Sequence, residues 1–376
     1  MKIGLLKEIK SSEQRILLTP HAVQQLVEGD HKVFVESGAG TYSNFDDTAY
    51  ESMGAKILPT SEKVFKNAEL ILKVQAPTPV EYELYEPHHI SVSFLHLTVN
   101  RERLNALIKR KSVFFAAEMI QNNEKLFPIL RAMSEIAGKM AINQAAKFLE
   151  FTSGGKGILI SGTKTVPAAR VTIIGAGTAG TNAAIQALNM GCSVNILDAD
   201  YQKLLQFKET LPAANLEIFE FSRSILREIL IDTDVLITAV QVPGHRSPIL
   251  VKKEDVKLLN PGSVIIDLSI DQGGCVETSH ATTPENPIYK YEEILHFCVS
   301  NLPSAVPNTS SQALSNAVFP YIKLIAQLGC EEAIALNPEI RSGLCLYKGK
   351  LVNSSLAEAH NMERYDILEL LEISIS

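Results

Sequence analysis

Three glycines spaced as Gly175-x-Gly177-x-x-Gly180 follow the β-branched run Val171-Thr-Ile-Ile174 and open onto helix-forming sequence, the pattern of a cradle for a dinucleotide. Gly175 permits a tight turn, Gly177 lets backbone approach a pyrophosphate, and Gly180 lets the helix pack closely on the strand. The first N–H groups of that helix then face the anion. A helix from Thr178 to Met190 ends at Gly191, and Ser193-Val-Asn-Ile-Leu197 reads as the next strand, closing on Asp198. A carboxylate there accepts hydrogen bonds from an adenosine ribose and repels a 2′-phosphate, which favours NAD over NADP. The competing reading is a glycine turn in an ordinary βαβ unit, with Asp198 a solvated charge.

Oxidising an amino acid or a hydroxy acid with NAD also takes a carboxylate anchor and a group that moves a proton. Arg15 lies in Ser11-Ser-Glu-Gln-Arg-Ile-Leu-Leu-Thr19, just after the first strand, where strand ends face the crevice of an open α/β sheet. A guanidinium there can grip a carboxylate with two hydrogen bonds, although taken alone it also reads as a surface arginine. His96 stands near the end of the strand-like run His89-Ile-Ser-Val-Ser-Phe-Leu-His-Leu97, placed to act as general acid or base; a satisfied core histidine is the alternative. Asp271 follows the apolar strand Gly262-Ser-Val-Ile-Ile-Asp-Leu-Ser-Ile270, where a carboxylate can orient a water or an ammonium. Asn301, in Val299-Ser-Asn-Leu-Pro303, can meet the nicotinamide or its ribose. Both also suit plain turns. His88 and His89 follow Pro87 without ligand spacing and are expected to be exposed.

Holding these residues requires a parallel sheet covered by helices, and the chain alternates accordingly. Strands are expected at Lys2 to Leu6, Lys32 to Glu36, Leu70 to Val74, His89 to Leu97 and Ser112 to Ala117. Helices fall between them, opened by Thr19-Pro20 (hydroxyl cap, then proline at the first position), near Asp47 to Met53, and over Arg101 to Lys109. The long apolar stretch Leu126 to Phe151 reads as a helix leaving the first domain, followed by the loop Ser153-Gly-Gly-Lys-Gly157, which lacks P-loop spacing. Asp232 to Val240 and Gly262 to Ile270 continue the nucleotide unit as buried strands. Leu314 to Leu328 reads as a second long helix, and Leu346-Tyr-Lys-Gly-Lys-Leu351 as a hairpin. The fold expected is therefore α/β, two doubly wound Rossmann-like domains with a cleft between them, linked by two long helices. The substrate domain takes residues 1–130 and 306–376, and the NAD-binding domain 131–305.

Composition narrows the partners. The 376 residues, 46% hydrophobic, are enough for two domains, and the net charge of −7 with scattered Lys and Arg argues against nucleic acid. Five cysteines without CxxC spacing suit a reduced compartment, with neither a disulfide nor zinc or another metal. The opening apolar run is short and without a cleavage pattern, and no later run reaches transmembrane length, so a cytoplasmic protein free of the membrane is expected.

Taken together, the segments resemble the alanine dehydrogenase family, related to the nucleotide-binding subunit of proton-pumping nicotinamide nucleotide transhydrogenase. The resemblance covers nearly the whole chain. It is carried by Lys7-Glu8 with Glu13 and Arg15, Ser37-Gly-Ala-Gly40, Leu72-Lys-Val74, Phe94-Leu-His-Leu97, Met133-Ser-Glu-Ile-Ala-Gly138, Gly175 to Gly180, Val242-Pro-Gly244 and Ile270-Asp-Gln-Gly-Gly-Cys275. It implies reversible oxidative deamination of L-alanine to pyruvate and ammonia with NAD, in a homohexamer. By position in those motifs, Arg15 resembles the carboxylate anchor, His96 the acid/base group and Asp271 the second catalytic group. Phe94 and Met133 resemble pocket walls. The implied cofactor contacts are Ser134, Gly175, Gly177, Thr178, Ala179, Gly180, Asp198, Lys203, Val240, Val242, Ile270 and Asn301. The transhydrogenase branch fits less well, because it lacks the histidine of Phe94-Leu-His-Leu97.

One position departs from the family. Leu72-Lys-Val-Gln-Ala-Pro77 carries Gln75 where the resemblance implies a substrate-binding lysine. A neutral donor contributes about half of a charge-assisted hydrogen bond. In a closed site the loss amounts to about 2 to 4 kcal/mol of transition-state stabilisation, or roughly two to three decades in rate. Lys73 lies one strand period away, on the same face as residue 75. Three readings follow: an alanine dehydrogenase with weakened or altered substrate binding; a dehydrogenase for another 2-amino or 2-oxo acid, including an opine-type condensation; and a catalytically silent NAD-binding oligomer. Arg15, His96 and Asp271 favour an enzyme.

Overall fold

The computed structural model describes every residue except 11, 212, 241–245 and 373–376. Its strands are β1 (Lys2–Leu5), β2 (Lys32–Glu36), β3 (Lys56–Leu58), β4 (Leu70–Leu72), β5 (Ile90–Ser93), β6 (Val113–Ala116), β7 (Arg170–Ile174), β8 (Ser193–Asp198), β9 (Leu216–Glu220), β10 (Val235–Thr238), β11 (Val264–Asp267), β12 (Ile288–Tyr291), β13 (Ile294–Phe297), β14 (Leu344–Tyr347) and β15 (Lys350–Leu351). Two compact units divide the chain, Met1–Met133 with Ser304–Ser376, and Ser134–Pro303.

In the first unit the sheet order is β15-β14-β6-β5-β4-β1-β2-β3. The six strands from the N-terminal part are parallel, and the antiparallel hairpin β14–β15 adds the edge beside β6. The chain runs from β1 outward through β2 and β3, then resumes on the other flank of β1 with β4. The loops after β1 and β4 therefore diverge, which opens a crevice at the carboxyl ends of those strands. β4, β5 and β6 are buried at every residue, as parallel strands covered on both faces must be. Leu6, Ile71, Leu95, Leu104 and Phe114 belong to one core cluster.

The second unit repeats the logic with the order β12-β13-β11-β10-β7-β8-β9. All pairs are parallel except β12–β13 at the edge. Its switch lies between β7 and β10. Ile174, Leu197, Leu236 and Ile265 meet in its core.

Thr19 caps the helix Pro20–Glu28 through the Ala22 N–H, with proline at the helix start and Ala22, Val23 and Leu26 turned inward. The first long helix spans Pro128–Phe148, shorter at both ends than expected, and a separate turn occupies Phe151–Ser153. The second long helix begins earlier than expected, spanning Pro307–Leu328, and belongs wholly to the first unit. Its early turns bury Ser310, Ser311 and Ser315. Ser311 Oγ accepts the Ile16 N–H at 2.9 Å and Ser315 Oγ accepts the Thr19 N–H at 3.1 Å. That serine face anchors the segment carrying Arg15, and its polarity hid the helix start from a hydrophobic pattern.

Two further expectations are corrected. The run from His89 to Leu97 is strand only to Ser93, so His96 stands beyond the strand. His89 is buried rather than exposed, its Nδ1 accepting the Glu86 N–H at 2.8 Å and its Nε2 lying 3.1 Å from the Phe65 carbonyl. His88 is exposed, as expected.

Candidate active site

The loops after β1 and β4 bring Arg15 and Gln75 together, and the helix Pro128–Phe148 adds Met133 to the cluster. Arg15 is 4% exposed, so the surface reading fails. Its Nε donates to Glu13 Oε1 at 2.7 Å and one terminal nitrogen to Glu13 Oε2 at 2.6 Å, the two-pronged geometry of a guanidinium on a carboxylate. The other terminal nitrogen lies 3.1 Å from the Met133 sulfur. Gln75 Nε2 donates to Glu13 Oε2 at 2.7 Å. Burial alone would raise the Glu13 carboxyl, but the hydrogen bonds and charge of Arg15, with the Gln75 amide, overcome it and hold Glu13 down at about 2.

Behind this cluster lies a second set of charges. Lys73 is 1% exposed and donates to both Glu81 oxygens, at 2.5 and 2.7 Å, while Glu8 lies 3.8 Å away. Glu8 Oε1 accepts the N–H groups of Val74 (2.6 Å) and Gln75 (3.1 Å), which sets the backbone that aims Gln75. Burial lifts the Glu8 carboxyl to about 7 against the pull of Lys73. β4 ends at Leu72, so strand alternation does not extend from Lys73 to Gln75, and the two side chains have different carboxylate partners.

Past β5, Phe94 is buried and His96 is exposed, with the two rings stacked at 6.0 Å between centroids. The Phe94 N–H donates to the Val74 carbonyl at 2.8 Å, which joins this loop to the one carrying Gln75. His96 has left-handed backbone, φ 47° and ψ 42°. The Glu118 carboxylate accepts the N–H groups of Leu95 and His96.

In the second unit the geometry at Gly175 and Gly180 fits the tight turn and the close helix–strand packing expected of them. Gly175 has φ +104°, and a Cβ there would lie 2.6 Å from the Ala239 carbonyl oxygen and 2.9 Å from Val240 Cγ2. A Cβ on Gly180 would fall 1.8 Å from the Gly175 oxygen, so only glycine lets the helix Thr178–Asn189 start this close to β7. Among the described residues a Cβ on Gly177 would meet nothing within 4 Å, and no side chain caps the helix. The open side of the turn, faced by Thr178 and Ala179 at the helix start, suits an anion. Asp198 Oδ2 accepts the Ala176 N–H at 2.6 Å and its Oδ1 the Asp200 N–H at 2.9 Å. The carboxylate is thereby fixed at the turn with lone pairs left for a ribose diol. Lys203 Nζ stands 3.6 Å from it.

Val240 donates its N–H to Ser269 Oγ at 3.1 Å, tying the ends of β10 and β11 beneath the turn. β11 ends at Asp267 rather than at Ile270; Asp271 sits in the short turn Ile270–Gln272, exposed, beside the buried Ile270. The Asp271 Oδ2 accepts the Asn301 N–H at 3.2 Å, so these two expected site residues meet. Ser134 is half-buried on the helix Pro128–Phe148. Val242 lies outside the described residues.

Glu8, Glu13, Lys73, Glu81 and Glu118 received no role from sequence, although Lys7-Glu8 and Glu13 were among the motif residues. For Glu8, Lys73 and Glu118 the signal was charge just past the apolar strands β1, β4 and β6; Glu13 and Glu81 lie in a polar loop and on the short helix Pro79–Tyr82 and carried no such signal. Among the described residues no cluster has the make-up of a metal site, and no helix is long and apolar enough to cross a membrane. All five cysteines are free thiols.

Comparison with known proteins agrees over nearly the whole length. The family described as "Alanine dehydrogenase/PNT, N-terminal domain" matches residues 4–137, and "Alanine dehydrogenase/PNT, C-terminal domain" matches residues 141–354. Alanine dehydrogenase of Methanococcus maripaludis is 40% identical over 363 residues, 96% of this chain and 97% of that protein. Alanine dehydrogenase 2 of Staphylococcus aureus is 40% identical over 375 residues, 99% of this chain and all of that one. A solved L-alanine dehydrogenase superposes with a TM-score of 0.92 at 35% identity, covering 96% of this chain and 99% of that one. A transhydrogenase from Sinorhizobium meliloti shares the fold at 22% identity, with a TM-score of 0.81 over 94% of this chain and all of that one.

Proposed function

The chain belongs to the alanine dehydrogenase/PNT family, and from that premise we propose that it is an NAD-dependent L-alanine dehydrogenase. Alanine, water and NAD become pyruvate, ammonium, NADH and a proton, reversibly. The observation that carries this reading is the buried Arg15, clamped by Glu13 and joined to Gln75 and Met133 at the switch between β1 and β4.

The Gly175–Gly180 turn and Asp198 would hold NAD, which would supply the acceptor for the hydride of the α-carbon. Arg15 binds the substrate carboxylate, which takes the place of the weakly accepting Met133 sulfur. Phe94 and Met133 give apolar contact to the methyl group. His96 takes the proton released by the water that attacks the imine carbon and returns one to the departing amine. Asp271 steadies the positive charge on that nitrogen, and Asn301 and Ser134 orient the nicotinamide half. Lys203, Val240, Val242 and Ile270 complete the cofactor contacts.

The reading extends to a cytoplasmic homohexamer. Family resemblance supports the hexamer and the free thiols suit a reduced compartment; light scattering tests the former against the mass of six chains. The activity is tested by NAD reduction with L-alanine beside a panel of other 2-amino acids, and by NADH oxidation with pyruvate and either ammonium or an amino acid as amine. Preference for alanine and ammonium supports the reading. Preference for a bulkier acid moves the substrate, and preference for an amino acid as amine makes the reaction an opine-type condensation.

A further inference from the structure

We infer that Glu118 is the positioning residue for His96, an inference that rests on His96 serving as the acid/base group. After β5 the chain turns so that Leu95 goes into the core, fully buried, while His96 points outward with left-handed backbone. A residue with a β-carbon adopts that conformation only where its surroundings hold it. Two successive N–H groups, those of Leu95 and His96, converge here on one anion in the manner of a backbone nest. Glu118 Oε1 lies 2.7 Å from the His96 nitrogen and 3.1 Å from that of Leu95, and Oε2 lies 3.1 Å from the latter.

The opposite side of the same peptide is also fixed. Arg103 donates to the Leu95 carbonyl at 2.9 Å, and it rides on the helix Arg101–Arg110 whose start is capped by Asn100. Glu118 follows β6, the neighbour of β5, in the turn Ala117–Met119. The clamp therefore belongs to the sheet framework, whereas the imidazole it directs is exposed. Removing the carboxylate takes two charge-assisted hydrogen bonds from a strained turn and lets the backbone relax towards the extended region. The imidazole then moves off line, and a displacement of about 1 Å at a proton-transfer group costs on the order of 100-fold in rate.

A double-mutant cycle separates positioning from structural support. His96→Ala, Glu118→Ala and the double variant are compared with the natural protein in pyruvate- and ammonium-dependent NADH oxidation, with NADH affinity as the control for folding. The expected result is a kcat loss of about 10- to 100-fold in Glu118→Ala with little change in KM for pyruvate, and a double variant no slower than His96→Ala alone. Additive losses would overturn the inference, as would full activity in Glu118→Ala. If His96→Ala keeps full activity, the acid/base reading fails, and positioning fails with it. Should Glu118→Ala not fold, Glu118→Gln and Glu118→Asp replace it: a kcat loss vanishing in the His96→Ala background supports positioning, and a loss that persists there contradicts it.

Discussion

The Gln75 amide donates to Glu13 Oε2 at 2.7 Å, so the carboxylate that clamps Arg15 also fixes Gln75. An ionised Glu13 accepts only, which turns the NH2 end of the amide towards it and the Gln75 carbonyl oxygen away. The Arg15–Glu13–Gln75 corner then carries no net charge.

Gln75→Lys adds one positive charge beside Glu13 and beside the substrate's negative end. Part of that charge is spent on Glu13, so the gain falls short of the full charge-assisted bond, about 10- to 100-fold in kcat/KM for pyruvate. Steady-state kinetics on the two proteins checks it. Equal or lower kcat/KM in Gln75→Lys means that Gln75 is suited to this chain's own substrate.

Gly177 and Gly180 respond differently to a methyl group. Among the described residues nothing fills the space beside Gly177, so Gly177→Ala is expected to fold with an unchanged melting temperature but to lose NADH affinity by at least about tenfold, because the methyl occupies the pyrophosphate approach. Gly180→Ala collides with the Gly175 carbonyl and costs about 1 to 3 kcal/mol or more of stability. Thermal melts and fluorescence titration with NADH distinguish the two. Unchanged NADH binding in Gly177→Ala removes the cradle assignment.

Asp198→Ser withdraws the carboxylate that faces a 2′-phosphate and frees Lys203, its partner at 3.6 Å. The ratio of kcat/KM for NADP to that for NAD is expected to rise by about 10- to 100-fold. A natural protein that already prefers NADP contradicts the role given to Asp198.

Glu13 and Glu8 give opposite pH dependences. Glu13 lies at about 2 in the folded chain against 4.5 ordinarily, so its stabilisation is complete above about pH 4.5 and is lost as pH falls towards 2. Glu8 lies at about 7 against the same 4.5, so the folded chain keeps a proton that the unfolded chain has released. Stability therefore falls as pH rises from about 4.5 to 7. Glu8→Gln is expected to flatten that fall in denaturant titrations at stepped pH, and Glu13→Gln to flatten the loss on the acid side. The same slope in Glu8→Gln as in the natural protein shows that Glu8 does not hold the proton.

Local rules made most of the fold legible. The turn from Val171 to Gly180 was readable almost residue by residue because Gly175 and Gly180 each answer a steric demand of the fold. Boundaries failed where tertiary contacts override local pattern. The strand run to Leu97 stops at Ser93 because the Glu118 clamp turns the chain at Leu95 and His96. The helix Pro307–Leu328 begins with serines buried as hydrogen-bond acceptors, which no apolar periodicity reveals. Arg15, His96 and Gln75 could be picked out singly. Glu8 and Glu118, which fix the backbone at Gln75 and His96, could not, because they reach it only once the strands are side by side.

The central claim, hydride transfer between the nicotinamide and the α-carbon of alanine, is tested most directly with NADH carrying deuterium on the transferred face of C4. Incubation with pyruvate, ammonium and the protein, followed by proton and deuterium NMR of the product, is expected to show L-alanine labelled at the α-carbon. Bound NADH with no labelled product from pyruvate, whether the label stays on the nicotinamide or reaches only a different acid, would contradict it.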